Sequence, residues 1–130
     1  MLERTLVTLD GTERSRRIVP YALELATKLK SKVILLRVVE ANRWDAEARE
    51  AEQDLARIGE LFIDGGSSVE TDVRVGRPQE EILKAALEHR VDLILMATRS
   101  PRGLQRVASG SVAEYVLRES QLPVMLVRAA

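Results

Sequence analysis

The sequence predicts an α/β protein built on an open parallel sheet with helices on both faces. Three observations predict it. Short apolar runs alternate with longer segments of helical periodicity along the chain. Two of the runs, KVILLRVV (32–39) and VDLILMA (91–97), are almost wholly apolar, as strands covered on both faces are. The resulting order, β-α-β-α-β-α-β-α-β, leads to a parallel sheet when each crossover is right-handed. The 130 residues are read as one domain, 1–130, large enough for a core of its own.

Each element has its own signal. TLVTL (5–9) reads as the first strand. The segment 13–30 follows as a helix, with Ile18, Ala22, Leu25 and Leu29 on one stripe. After the second strand, EANRWDAE (40–47) reads as a surface loop in which Trp44 packs over the sheet edge or a partner. A helix over 45–63 repeats Ala48, Ala51, Leu55, Ile58 and Phe62, and Asp64-Gly65-Gly66 ends it. VETDVRV (69–75) alternates, as expected nearer a sheet edge. The next helix opens with Pro78 in its first turn and with Glu80 and Glu81 at the positive end of its dipole. Ile82, Leu83 and Ala86 then face inward. His89 sits at its end, placed to meet the last carbonyls. The last helix covers 111–119, where Ser111 and Glu114 have capping-box spacing. LPVMLV (122–127) is the last strand, and its early Pro123 spares an N–H.

Composition removes several function classes. Twenty basic residues balance twenty acidic ones, so no general field draws nucleic acid or an anionic membrane. Aromatics are 3%, too few for a base-stacking platform. With no cysteine, disulfides, thiolate catalysis and cysteine zinc sites are excluded. No run approaches the ~20 apolar residues of a membrane helix. The expectation is a soluble cytoplasmic protein with neither nucleic-acid nor membrane partners. No Ser/His/Asp set, metal-ligand spacing or Walker-type lysine appears. A response-regulator receiver needs a phosphorylatable aspartate after the third strand, where this chain has Gly76.

In an open α/β sheet, ligands bind beyond the carboxyl ends of the strands, where strand order reverses. Asp10-Gly11-Thr12 follows the first strand. Its carboxylate suits a ribose hydroxyl or a cation beside phosphates, and equally suits an N-cap for the helix from Glu13. Gly110-Ser111 opens the last helix, where backbone N–H groups attract phosphate, unless Ser111 is satisfied by its own capping box. Arg99, Arg102 and Arg106 surround the loop between; they suit a polyphosphate or are ordinary surface arginines.

Taken together, these stretches resemble the universal stress protein family over nearly the whole chain. LVTLDGTERSRRIVPYALELA looks like its first strand and helix, and VILLRVVE like its second strand. Gly76, Pro78 and Ile82 match its Gly-x-Pro-x-x-x-Ile pattern, and DLILMATRSPRGLQRVASGSVAEYVLRESQLPVMLV resembles its C-terminal signature. The resemblance implies a five-stranded parallel sheet in the order 3-2-1-4-5 and a homodimer formed through the C-terminal strand. It also implies a nucleotide site built from Thr8, Leu9, Asp10, Val38, Met96, Ala97, Arg99, Ser100, Gly110, Ser111 and Val112. One branch binds ATP through Gly-x-x-Gly followed, after nine intervening residues, by Gly-Ser or Gly-Thr; another lacks the motif. Here the spacing is intact, but Ala97 and Ser100 stand where the first two glycines would be. Where such a glycine supplies φ > 0, serine adopts that conformation at a cost of roughly 1 kcal/mol or more. The expected function is a dimeric stress-response module that binds ATP or AMP, with Mg²⁺ or Mn²⁺ carried by the phosphates beside Asp10. The alternative is a nucleotide-free member acting through protein contacts. Neither is an enzyme, although slow ATP hydrolysis is conceivable at such a site.

Overall fold

The structure is a computed structural model that describes residues 2–98 and 107–128. In chain order they form β1 (Arg4–Thr8), α1 (Glu13–Arg16), α2 (Val19–Leu29), β2 (Lys32–Val39), a 3-10 turn (Ala41–Arg43) and α3 (Trp44–Asp64). Then come β3 (Val69–Val75), α4 (Pro78–Glu88), β4 (Leu93–Thr98), α5 (Val107–Glu119) and β5 (Val124–Arg128). The strands make one sheet in the order β3-β2-β1-β4-β5, and every neighbouring pair is parallel.

The pleat of the central strands divides the core in two. Leu6 lies beside Ile34 and Ile94, and Val7 beside Leu35 and Leu95. All six side chains are fully buried. Because successive side chains point to opposite faces, Val7 and Leu35 meet Ala22, Ala26, Leu55 and Phe62 of α2 and α3 on one face. Leu6, Ile34 and Ile94 meet Ile82, Ala86 and Val116 of α4 and α5 on the other.

Four local expectations are corrected. The helix read over 13–30 is two helices, with the break at Arg17 and Ile18. Pro20 stands in the first turn of α2. It has no N–H to give, and its ring would crowd the carbonyl four residues earlier, so a continuous helix is excluded. Leu29, read on the buried stripe, is exposed, while Val19 and Ala26 are buried. The segment 40–47 is not a loop: it is the 3-10 turn and the start of α3 at Trp44. The last helix begins at Val107 rather than Ser111.

His89 also behaves differently from its expectation. Its side chain turns away from the helix end toward β3, with Nε2 2.7 Å from Asp72 and Nδ1 3.4 Å from Glu70. Arg74 joins the same cluster, donating from Nε to Asp72 at 2.9 Å and from a terminal nitrogen to Glu88 at 2.6 Å. Glu70 also pairs with Lys32 at 3.0 Å. β3 is an edge strand, and this row of charges makes it a poor template for pairing with another chain.

At the amino ends of the strands, the Asp92 carboxylate accepts from the backbone N–H groups of Glu3 and Arg4 at 3.0 and 2.9 Å. Burial acts to raise the Asp92 pKa, but these bonds outweigh it and hold the carboxyl below its ordinary value. Its proton therefore binds less tightly in the folded chain than in the unfolded one. The stabilisation is complete above the ordinary carboxylate range and is lost as pH falls through the depressed folded value. Thermal melts between pH 3 and 7 should show Tm falling below about pH 4, with Asp92→Asn a few degrees lower at neutral pH and a flatter fall. An unchanged profile in the variant would remove Asp92 as a contributor.

Candidate functional site

Strand order reverses between β1 and β4, and a cavity of about 260 Å³ opens at the carboxyl ends of the strands there. Of the residues implicated from the sequence, the structure brings Thr8, Leu9, Asp10, Val38, Met96, Ala97, Ser111 and Val112 to its wall. Arg99 and Ser100 lie outside the described residues, as do Arg102 and Arg106. Leu36 and Val38 of β2, Met96 of β4 and Ile82 of α4 supply apolar wall; Asp10, Ser15 and Ser111 supply polar groups.

The β1–α1 turn is set by its own hydrogen bonds. Asp10 is not the N-cap of α1. Thr12 is, accepting from the Ser15 N–H at 3.2 Å. Asp10 instead steadies the turn one step earlier: its Oδ1 accepts from the Thr12 N–H at 2.9 Å and from the Thr12 hydroxyl at 2.6 Å. The turn is reinforced by Ser15, whose hydroxyl accepts from the Asp10 N–H at 3.2 Å. Partial burial pushes the Asp10 pKa up. The Thr12 and Ser15 bonds and the Arg37 charge overcome that push and hold the carboxyl below its ordinary value. Asp10 is thus a preorganised anion, able to accept from hydroxyls or to face a cation.

Gly11 permits this turn in two ways. Its φ of +86° is a conformation that side chains disfavour, and a methyl there would come 2.6 Å from the Arg37 guanidinium. That guanidinium lies behind the turn, 3.9 Å from Glu47 of α3. Gly76, after β3, has φ +143° and would bring a methyl within 3.0 Å of Glu81. It releases the chain into α4, whose Pro78 and Ile82 line the cavity.

Of the two substituted motif glycines, Ser100 lies outside the described residues. Ala97 belongs to β4, and in extended backbone its methyl is readily accommodated. On α5, described from Val107, Gly110 and Ser111 both lie within the helix rather than at its head. Ser111 therefore does not head a capping box. Ser111 reaches the cavity from the helix wall.

Sequence reasoning missed Arg14. It lies in α1, lines the cavity, and buries an Nε that has no hydrogen-bond partner among the described residues. The Thr98 hydroxyl, at the end of β4, is likewise buried without a partner among them. Also among the described residues, no group of three or more His, Cys, Asp or Glu could hold a metal ion, and no helix is long and apolar enough to cross a membrane.

A five-stranded parallel sheet in this order, with a cavity at its switch point, defines a Rossmann-like α/β protein. Residues 1–128 match the universal stress protein family, and the chain belongs to it. It is 25% identical to the universal stress protein MJ0531 of Methanocaldococcus jannaschii, across 98% of this chain and 83% of that one. Its fold matches the solved structure of MJ0577, from the same organism, with a TM-score of 0.85 and 27% identity over 100% of this chain and 98% of that one. Two more distant structures share the fold. One is a universal stress protein in complex with cAMP (TM-score 0.81, 23% identity, 99% and 98% covered). The other is the Archaeoglobus fulgidus universal stress protein in complex with dAMP (TM-score 0.75, 21% identity, 97% and 98% covered).

Proposed function

We propose that this protein binds an adenine nucleotide, ATP or AMP, in the cavity at the carboxyl end of the sheet and acts in the cytoplasm as a dimeric regulatory module. The observation that carries the reading is the convergence of Asp10, Val38, Met96, Ala97 and Ser111 on one cavity at the switch point. Apolar Val38, Ile82 and Met96 suit the flat base. Asp10 suits a ribose hydroxyl or a cation brought by the phosphates. Ser111 suits a phosphate oxygen, and Arg99, Ser100 and Gly110 are the candidates that the family resemblance offers for further phosphate contacts. The solved relatives that hold cAMP and dAMP support an adenine ligand. The role we propose is binding rather than catalysis: among the described residues of the cavity wall the one carboxylate, Asp10, is engaged by Thr12.

Denaturing freshly purified protein and identifying any released small molecule is the first test, followed by calorimetric titration of ATP with Mg²⁺ or Mn²⁺. Copurified ATP or AMP, or micromolar binding weakened by Gly110→Val, is the expected result. No released nucleotide and no binding heat would overturn the reading.

A second reading, a nucleotide-free member acting through protein contacts, is favoured by Ser100 in place of a motif glycine. Both readings include a homodimer through β5. This strand is the sheet edge opposite β3, and it leaves Met125 39% exposed. Apart from Arg128 at its end, this edge is apolar and lacks the charged row of β3, which suits pairing with a second copy. Light scattering that gives a monomer at micromolar concentration would overturn the dimer.

A further inference from the structure

We infer that Arg14 is a phosphate-binding residue of the cavity, contacting the nucleotide from α1 rather than from the loop after β4. The inference rests on the adenine-nucleotide reading above. Among the described residues that line the cavity, Arg14 is the one cation. Its Nε is buried and finds no hydrogen-bond acceptor among them. Its helical neighbour Arg16 is different, with its guanidinium 2.5 Å from the buried Asp54 of α3. Asp10, the acid on the same wall, is engaged by Thr12 and does not serve Arg14.

A guanidinium carries five N–H donors and no acceptor, and all five point outward in one plane. A base stacked on its face would leave the Nε–H unsatisfied. An anion with oxygens in that plane would satisfy it and would match the fork geometry of the group. The position also answers a charge problem. A polyphosphate placed beside the ionised Asp10 meets repulsion, and Arg14 offsets it from inside the cavity. Ser100 stands where the family motif has a glycine, so a donor from α1 adds a phosphate contact that does not depend on that position.

The test is calorimetric titration of adenosine, AMP and ATP with Mg²⁺ into the wild type, Arg14→Gln, Arg14→Lys, and Arg57→Gln as a charge control on exposed α3 surface. Arg14→Gln should weaken ATP binding roughly 10- to 100-fold and leave adenosine within about twofold. Arg14→Lys should recover part of the loss, since it keeps the charge but not the fork. Arg57→Gln should bind as the wild type does. Unchanged ATP binding in Arg14→Gln, or equal loss of adenosine and ATP, overturns this inference alone. Wild-type protein that binds neither adenosine nor ATP overturns the nucleotide reading and this inference with it.

Discussion

Replacing Ser111 by tryptophan is expected to weaken adenine-nucleotide binding at least about 100-fold, equivalent to roughly 2.8 kcal/mol, while Tm stays within a few degrees. Ser111 is exposed on the α5 wall of the cavity, whereas Ala113 and Val116 hold that helix to the core. The substitution therefore fills ligand space without displacing core side chains. An indole is large against about 260 Å³, and it also removes the hydroxyl. Calorimetry and thermal melts on the same preparation check both halves. Binding equal to the wild type would mean that the nucleotide sits elsewhere. A collapse in Tm would mean that α5 docks differently from the structure described.

The polar and apolar walls of the cavity differ in how far the sequence shows them. Asp10, Val38 and Ala97 are readable because each lies at or just beyond the end of an apolar strand, and the switch-point rule says that such ends converge, whereas Met96 follows only from the family resemblance. Arg14 is not readable. In ERSRR (13–17) four side chains are charged, and only the phase of a single helical turn decides which of them enters the cavity. That phase is set by the Thr12 cap and by Ser15, which is buried under the turn. Pro78 and Ile82 escape as wall residues for another reason. Their pattern marks a helix start and a core face, and only the tertiary position of α4 shows that this face also borders the cavity.

The strands were more legible than the helix ends. Residues 32–39 and 69–75 carry the β2 and β3 bounds unchanged, since β-branched runs with abrupt polar flanks leave little freedom. The break at Pro20 is a local rule that the apolar stripe concealed: Ile18 and Ala22 are both buried although a helix boundary falls between them. For α5, Ser111 and Glu114 offer a capping box that competes with an earlier start, and the spacing cannot choose between them. His89 shows the limit of reasoning along the chain. Its carboxylate partners stand on β3, 17 and 19 residues away in sequence, and only the packing of α4 over the sheet edge brings them together.

Phe62→Ala is expected to destabilise the fold by about 3–5 kcal/mol and to lower Tm by roughly 10–20 °C, the largest stability effect foreseen here. Phe62 is fully buried on α3 in the core shared with Leu35 of β2 and Ala26 of α2. These neighbours belong to strands and helices that cannot easily collapse into the space vacated by a ring, so lost burial and a residual cavity both contribute. The adjacent Leu61 is 50% exposed, and Leu61→Ala should change stability by less than about 0.5 kcal/mol. Urea unfolding of both variants separates the cases: the midpoint should fall for Phe62→Ala, with the slope unchanged. Most of the cavity wall, from β2, α4 and α5, lies across the sheet from Phe62, with Leu9 and Ala97 the wall residues that touch its core cluster. Folded Phe62→Ala protein at low temperature should therefore bind nucleotide with near wild-type affinity. Loss of binding in the folded variant would show that the two faces are coupled through the sheet; a stability loss under 1 kcal/mol would show that α3 does not anchor this face.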